Sequence, residues 1–80
     1  MDQENISQVI ILWKDAVSHD AWDDLKECVD YGLPLINSIG FLVEETSDAY
    51  FLAQNLDTVS SNVSAVMVIP KSMVEDVIVL

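Results

Sequence analysis

The sequence predicts a small, mainly β domain with five strands and one short helix near residues 20–29. Two apolar runs, 39–43 and 50–53, flank the polar segment 44–48, which is typical of a β-hairpin with a loop of four or five residues. Short β-branched runs near the start and the end of the chain predict further strands. Eighty residues are enough for one domain, so we expect residues 1–80 to fold as a single unit.

The first third of the chain predicts one strand and one helix. The run Val-Ile-Ile-Leu-Trp at 9–13 predicts a strand that ends near Asp15. In segment 20–29, Trp22 and Leu25 share a helical face with Cys28 or Val29, and acidic residues occupy the opposite face. Leu25, Val29 and Tyr31 also share a face in an extended chain, so the sequence leaves helix and strand open there. Gly32 and Pro34 then break the pattern.

The central hairpin predicts a sheet with two apolar faces. Ile39, Phe41 and Val43 alternate along one face, yet the other face is more apolar than a lone surface hairpin tolerates. Gly40 predicts either a bulge or a close approach of another backbone. After a loop at 57–64, the run 66–69 predicts a strand that Pro70 ends. A single tight turn at 70–73 and a last strand at 74–80 complete the domain.

Charge and composition exclude several classes of function. The chain has 14 Asp and Glu against three Lys and no Arg, for a net charge of −11. Nucleic acids and anionic membranes attract basic proteins, so we expect neither as a partner. The chain contains no run of about 18 apolar residues, and its first residues are acidic where a secretory signal is basic. We therefore expect a cytoplasmic protein.

Half of the residues (51%) are hydrophobic, and one cysteine cannot form an internal disulfide. An 80-residue domain has difficulty burying so much apolar surface without a partner, so the composition predicts a homo-oligomer. The strand edges expected to pair carry Val66, Val68, Val77 and Val79.

No catalytic residue, metal site or cofactor is predicted. His19, Asp20, Asp23, Asp24 and Cys28 are the one group with metal-ligand atoms, but they lack the spacing of a zinc or calcium site. Cys28 as a nucleophile needs a nearby base, and we expect instead a small buried side chain. The chain also lacks a phosphate-binding loop, a serine elbow and a dinucleotide fingerprint, which argues against an enzyme.

Four residues are candidates for a ligand or interface site: Trp13, Trp22, Tyr50 and Lys71. The three aromatic side chains offer flat surfaces for a nucleotide base, and Lys71, in a tight turn, offers a cation for an anion. The simpler interpretation, which we favour, is that the tryptophans pack in a core or interface and that the lysine is solvated.

The order of elements resembles that of SH3-like small barrels and, more specifically, the Sm-like fold. Segment 66–77 resembles the second Sm motif, a strand followed by a tight turn and another strand, and segment 38–50 resembles the first. The resemblance implies a five-stranded barrel and closed rings whose strand edges pair. Sm-type RNA sites use an Asp and Asn pair and an Arg-Gly, but this chain has Asp48-Ala49-Tyr50 and Pro70-Lys71. RNA binding is therefore not implied here.

The chain also resembles a group of short uncharacterised phage and prophage proteins. The shared features are Trp13-Lys14-Asp15-Ala16, Trp22, the run 38–45, Leu52-Ala53-Gln54 and Ile69-Pro70-Lys71. The group implies no biochemical activity.

Three hypotheses for function remain. The first is a non-enzymatic Sm-like ring that serves as an interaction or scaffold module in the host cytoplasm. The second is an oligomeric binder that sequesters a nucleotide-like small molecule. The third is an acidic protein that mimics nucleic acid and inhibits a host protein. The sequence leaves open the ring size, the presence of a ligand and the identity of a host partner.

Overall fold

Five antiparallel strands form one open sheet in the computed structural model, which describes residues 6–18, 20–29 and 31–80. The elements in chain order are β1 (Ser7–Lys14), α1 (Leu25–Cys28), β2 (Leu35–Glu45), β3 (Ala49–Leu56), β4 (Val63–Pro70), a 3₁₀ turn (Lys71–Met73) and β5 (Val74–Val79). The prediction of a mainly β domain with five strands and one short helix is confirmed. The tight turn after Pro70 also lies where the sequence predicts it.

The sheet has the strand order β4-β3-β2-β1-β5 and is strongly curled. A flat sheet of this order would hold its two outermost strands about 19 Å apart, at about 4.8 Å per neighbouring pair. The 3₁₀ turn joins those same strands, and the chain from Pro70 to Val74 spans at most about 14 Å. The sheet must therefore bend. No ladder joins β4 to β5 among the residues described, so the sheet is not closed into a barrel.

The core lies on the inner face of this curl. Register and alternation place Val9 and Ile11 of β1 on the same face as Leu52 and Ile69, and all four are buried. A ring of partly buried side chains packs around them: Trp13, Leu42, Tyr50, Val74 and Val77. The buried set is small, as expected for a chain of 80 residues.

Gly40 marks a close approach of backbones, one of the two alternatives that the sequence allows. A Cβ at this position would lie 2.5 Å from the carbonyl oxygen of Ala53 and 3.1 Å from Cγ of Leu52. The irregularity in the β2–β3 ladder lies farther along, between Leu42 and Glu44. A residue without a Cβ therefore lets β2 cross close to β3.

The opposite side of the sheet, called here the outer face, is also apolar. The register places there Ile10, Leu12, Ile39, Phe41, Phe51, Val66, Val68 and Ile78. Several of them are exposed, and Ile39 reaches 61% exposure. A sheet with one solvated face normally alternates apolar and polar residues. This face is largely apolar, although the register also places Lys14, Glu44 and Asp76 on it.

Helix α1 is a single turn. The carboxylate of Asp24 caps it by accepting a hydrogen bond from the backbone N–H of Lys26, at 2.8 Å. The extended alternative for segment 25–31 is therefore wrong at Leu25–Cys28, because the Asp24 cap starts a helix there. The backbone N–H of Asp15 donates to the carbonyl of Pro34 at 3.2 Å, which closes the base of the long β1–β2 connection.

Candidate interaction surfaces

The two edges of the sheet are the first candidate surface. Strands β4 and β5 each have one neighbour, so half of their backbone groups face away from the sheet. Val66 and Val68 lie on the outer face of β4, and Val79 is exposed near the end of β5. Val77 also lies on an edge strand, but its side chain packs against the core. Three of the four predicted edge valines thus present exposed side chains.

Strand β4 has neither a charged residue nor an internal proline to protect its edge. Its sequence, Val-Ser-Ala-Val-Met-Val-Ile-Pro, contains no charged residue, and Pro70 stands at its very end. Natural proteins commonly blunt an edge strand with lysine, an internal proline or a bulge, since an unprotected edge pairs with other chains. An uncharged edge on a protein of net charge −11 is therefore a surface suited to strand pairing.

Lys71 and Tyr50 lie together and are already engaged within the chain. Nζ of Lys71 lies 2.6 Å from Oε2 of Glu45 and 5.0 Å from the centre of the Tyr50 ring. The backbone N–H of Lys71 donates to the carbonyl of Asp48 at 2.8 Å. These contacts tie the 3₁₀ turn to the β2–β3 hairpin. An anion at Lys71 would have to compete with the Glu45 carboxylate.

The two tryptophans have different surroundings. Trp13 packs against the core, and its indole N–H donates to Oγ of Ser38 at 3.0 Å. Trp22 is fully exposed. Trp13 thus packs in the core, one of the two alternatives of the sequence interpretation. Trp22 does not pack within its own chain, so for this residue packing in an interface stays a prediction. The four candidate residues do not form one site.

Segment 20–29, called here the arm, is the most exposed apolar element. Leu25 and Val29, four positions apart at α1, are 80% and 75% exposed. The sequence predicts a buried Cys28, but its side chain is partly exposed. Its thiol donates a hydrogen bond to the carbonyl of Leu25 at 3.0 Å. Within one chain, the large apolar side chains of the arm therefore remain in contact with solvent.

A hydrogen bond from Tyr31 to Asp23 braces the end of the arm. This hydrogen bond raises the pKa of the Tyr31 phenol above its usual 10.0, because ionisation would remove the proton that the phenol donates to Asp23. A raised folded-state pKa means that this contact is fully present below pH 10 and is lost as the pH rises through the folded pKa.

Two shallow cavities of about 330 and 220 Å³ adjoin on the sheet and share Ile39 and Gln54. Their combined lining, called here the neutral groove, has no ionisable side chain: Gln8, Asn37, Ser38, Ile39, Gly40, Phe41, Leu52, Gln54, Ala65, Val66 and Met67. Ala65 holds a positive φ of 54° beside it, a conformation that costs a non-glycine residue about 1 kcal/mol or more. Our sequence prediction missed this groove, although the two apolar faces of the hairpin were a signal for it.

The described part of the chain contains no group of three or more His, Cys, Asp or Glu side chains placed to hold a metal ion. His19, one of the metal-ligand candidates, lies outside the described residues. Within 6–18, 20–29 and 31–80, no helix has the length and apolar character needed to cross a bilayer. No protein-family model, curated protein or solved structure matches the chain.

Proposed function

We propose that the protein is a non-enzymatic interaction module that assembles into a closed homo-oligomer, with β4 of one copy paired to β5 of the next. The observation that carries this proposal is the pair of open sheet edges at opposite ends of one strand order. Strand β4 has no charged residue, and β5 ends in the apolar run Val-Ile-Val after Glu75 and Asp76. The two edges differ from each other, so their pairing is head to tail. Head-to-tail contacts close into rings when the rotation between neighbours allows it.

The surface area of the single chain supports the same proposal. It exposes 5861 Å², whereas a compact monomer of 8.9 kDa is expected to expose about 4800 Å². The radius of gyration is 16.2 Å, against about 12 Å for a compact domain of this length. The single chain therefore exposes about 1000 Å² more than a compact monomer, and the exposed apolar side chains of residues 20–29 contribute to this excess.

An Sm-like barrel is the finer form of this proposal. The strand order leaves β4 and β5 as the open edges of a curled sheet, and a neighbouring copy would complete the ladder at each edge. The resemblance of segments 38–50 and 66–77 to the two Sm motifs supports the same arrangement. Sequestration of a nucleotide-like ligand is less favoured, since Lys71 is held by Glu45 and Trp22 is separate from Tyr50.

Edge pairing can be tested with Val68→Lys, which places a charge on the outer face of β4. We expect native mass spectrometry and sedimentation velocity to give a closed oligomer for the natural sequence and a smaller species for the variant, because a lysine on an edge strand opposes pairing. Val59→Lys is the matched control, since Val59 is exposed in the β3–β4 loop. It changes the net charge by the same amount and leaves both edges intact. A natural sequence that stays monomeric at micromolar concentration would refute the proposal.

A further inference from the structure

We propose that the arm of one copy docks by Trp22, Leu25 and Val29 into the neutral groove of a second copy. This inference rests on the proposed self-association and adds a second contact, separate from the strand edges. It names the occupant of the groove and the residues that hold it.

The arm presents large apolar side chains that do not pack against the rest of its own chain. Trp22 is fully exposed, and Leu25 and Val29 are nearly so. Burial of an aromatic side chain removes about 150–250 Å² of surface from water. The exposed indole of Trp22 therefore lacks the favourable free energy that burial would provide. Tryptophan is also among the residues that most often dominate binding energy at interfaces. The arm is held in place by the Asp24 cap and the closed base at Asp15 and Pro34.

Charge decides which kind of surface can receive the arm. Residues 20–29 hold four carboxylates and one lysine, a net charge of −3. A receiving surface that carries carboxylates would repel it, and this chain has 14 Asp and Glu residues. The neutral groove has no ionisable group, and its amides at Gln8, Asn37 and Gln54 have N–H donors for the carboxylates of the arm.

Shape and area favour a second copy as the occupant. The groove holds about 330 Å³ in its larger part, which is in the range of sites for small ligands and single anchoring side chains. Its rim carries exposed Ile39, Val66 and Met67, which supply apolar contact for an indole. Both halves of the contact are unused in the single chain.

Complementation between two variants tests the docking. The first variant, Trp22→Ser with Leu25→Ser, removes the arm contact; the second, Ile39→Glu, places a carboxylate in the groove. We expect each variant alone to weaken self-association about tenfold or more in sedimentation velocity, since each removes a central anchor. An equimolar mixture should associate more tightly than either variant alone, because one intact arm then meets one intact groove.

Val59→Ser is the matched control, since it removes an equally exposed apolar side chain from a loop outside the contact. It should leave the dissociation constant unchanged. A second readout is acrylamide quenching of Trp22, taken as the difference between the natural sequence and Trp22→Phe. The quenching should fall as the concentration is raised through the association range.

The outcomes separate the two proposals. An oligomer that Val68→Lys disrupts, but that the arm and groove variants leave unchanged, would overturn the docking of the arm and leave edge pairing intact. A mixture that associates no better than its components would also overturn it. A natural sequence that stays monomeric would overturn both.

Discussion

Gly40 controls how closely β2 and β3 can approach. The space for a Cβ at this position is taken by the Ala53 carbonyl oxygen at 2.5 Å, an atom of the backbone that has little freedom to move. Two positions before Gly40, Ser38 accepts a hydrogen bond from the indole N–H of Trp13 on the other neighbouring strand, β1. Strand β2 is thus held to β1 by a side-chain contact and approaches β3 closely at the residue that lacks a side chain.

We expect Gly40→Ala to destabilise the fold by about 1–3 kcal/mol, because the added methyl forces the two strands apart. Gly32→Ala is the matched control, since a Cβ there meets no atom within 4 Å. Urea unfolding of both variants at low protein concentration measures the difference. Equal stabilities for the two variants would show that β2 can shift freely at Gly40.

Substitutions in strand β4 can affect either folding stability or self-association, because its inner face belongs to the core and its outer face is exposed. Ile69 lies on the inner face and is fully buried, whereas its neighbour Val68 lies on the outer face and is 54% exposed. The first belongs to the core, and the second to a surface that we propose meets another copy. The two substitutions to alanine should therefore have different effects.

Ile69→Ala should lower the free energy of unfolding of the monomer by about 2–5 kcal/mol, as for other large-to-small core changes. Val68→Ala should change it by no more than about 0.5 kcal/mol, as is usual for surface sites. Chemical unfolding at a concentration below the association range gives both values. A loss of several kcal/mol in Val68→Ala would mean that the outer face is part of the core of the single chain.

Self-association of a molecule with a net charge of −11 must overcome mutual repulsion. The contacts that we propose are apolar side chains, backbone ladders and neutral amides, none of which depends on attraction between opposite charges. Two of the three lysines are already paired within the chain, Lys14 with Glu75 and Lys71 with Glu45. Few lysines therefore remain to form ion pairs with the carboxylates of another copy.

We expect added salt to tighten self-association, because raising the ionic strength from about 0.1 M to about 1 M shortens the screening length from about 10 Å to about 3 Å. Lowering the pH towards the isoelectric point near 4.1 should act in the same direction by removing charge. Sedimentation velocity across a salt series measures the effect. Weaker association at high salt would show that ion pairs hold the copies together.

Local signals in the sequence were enough to predict the number and order of the strands, but they left helix or strand open for residues 25–31. Alternating and β-branched runs, the polar segment at 44–48 and the stop at Pro70 are local signals, and backbone preferences act over a few residues. The sequence could not reveal which side chains the curled sheet buries. Trp13 and Trp22 are the same residue type, yet Trp13 packs against the core and donates to Ser38, whereas Trp22 in the arm is exposed to solvent. The neutral groove likewise joins residues from four strands, and only the tertiary structure brings such distant positions together.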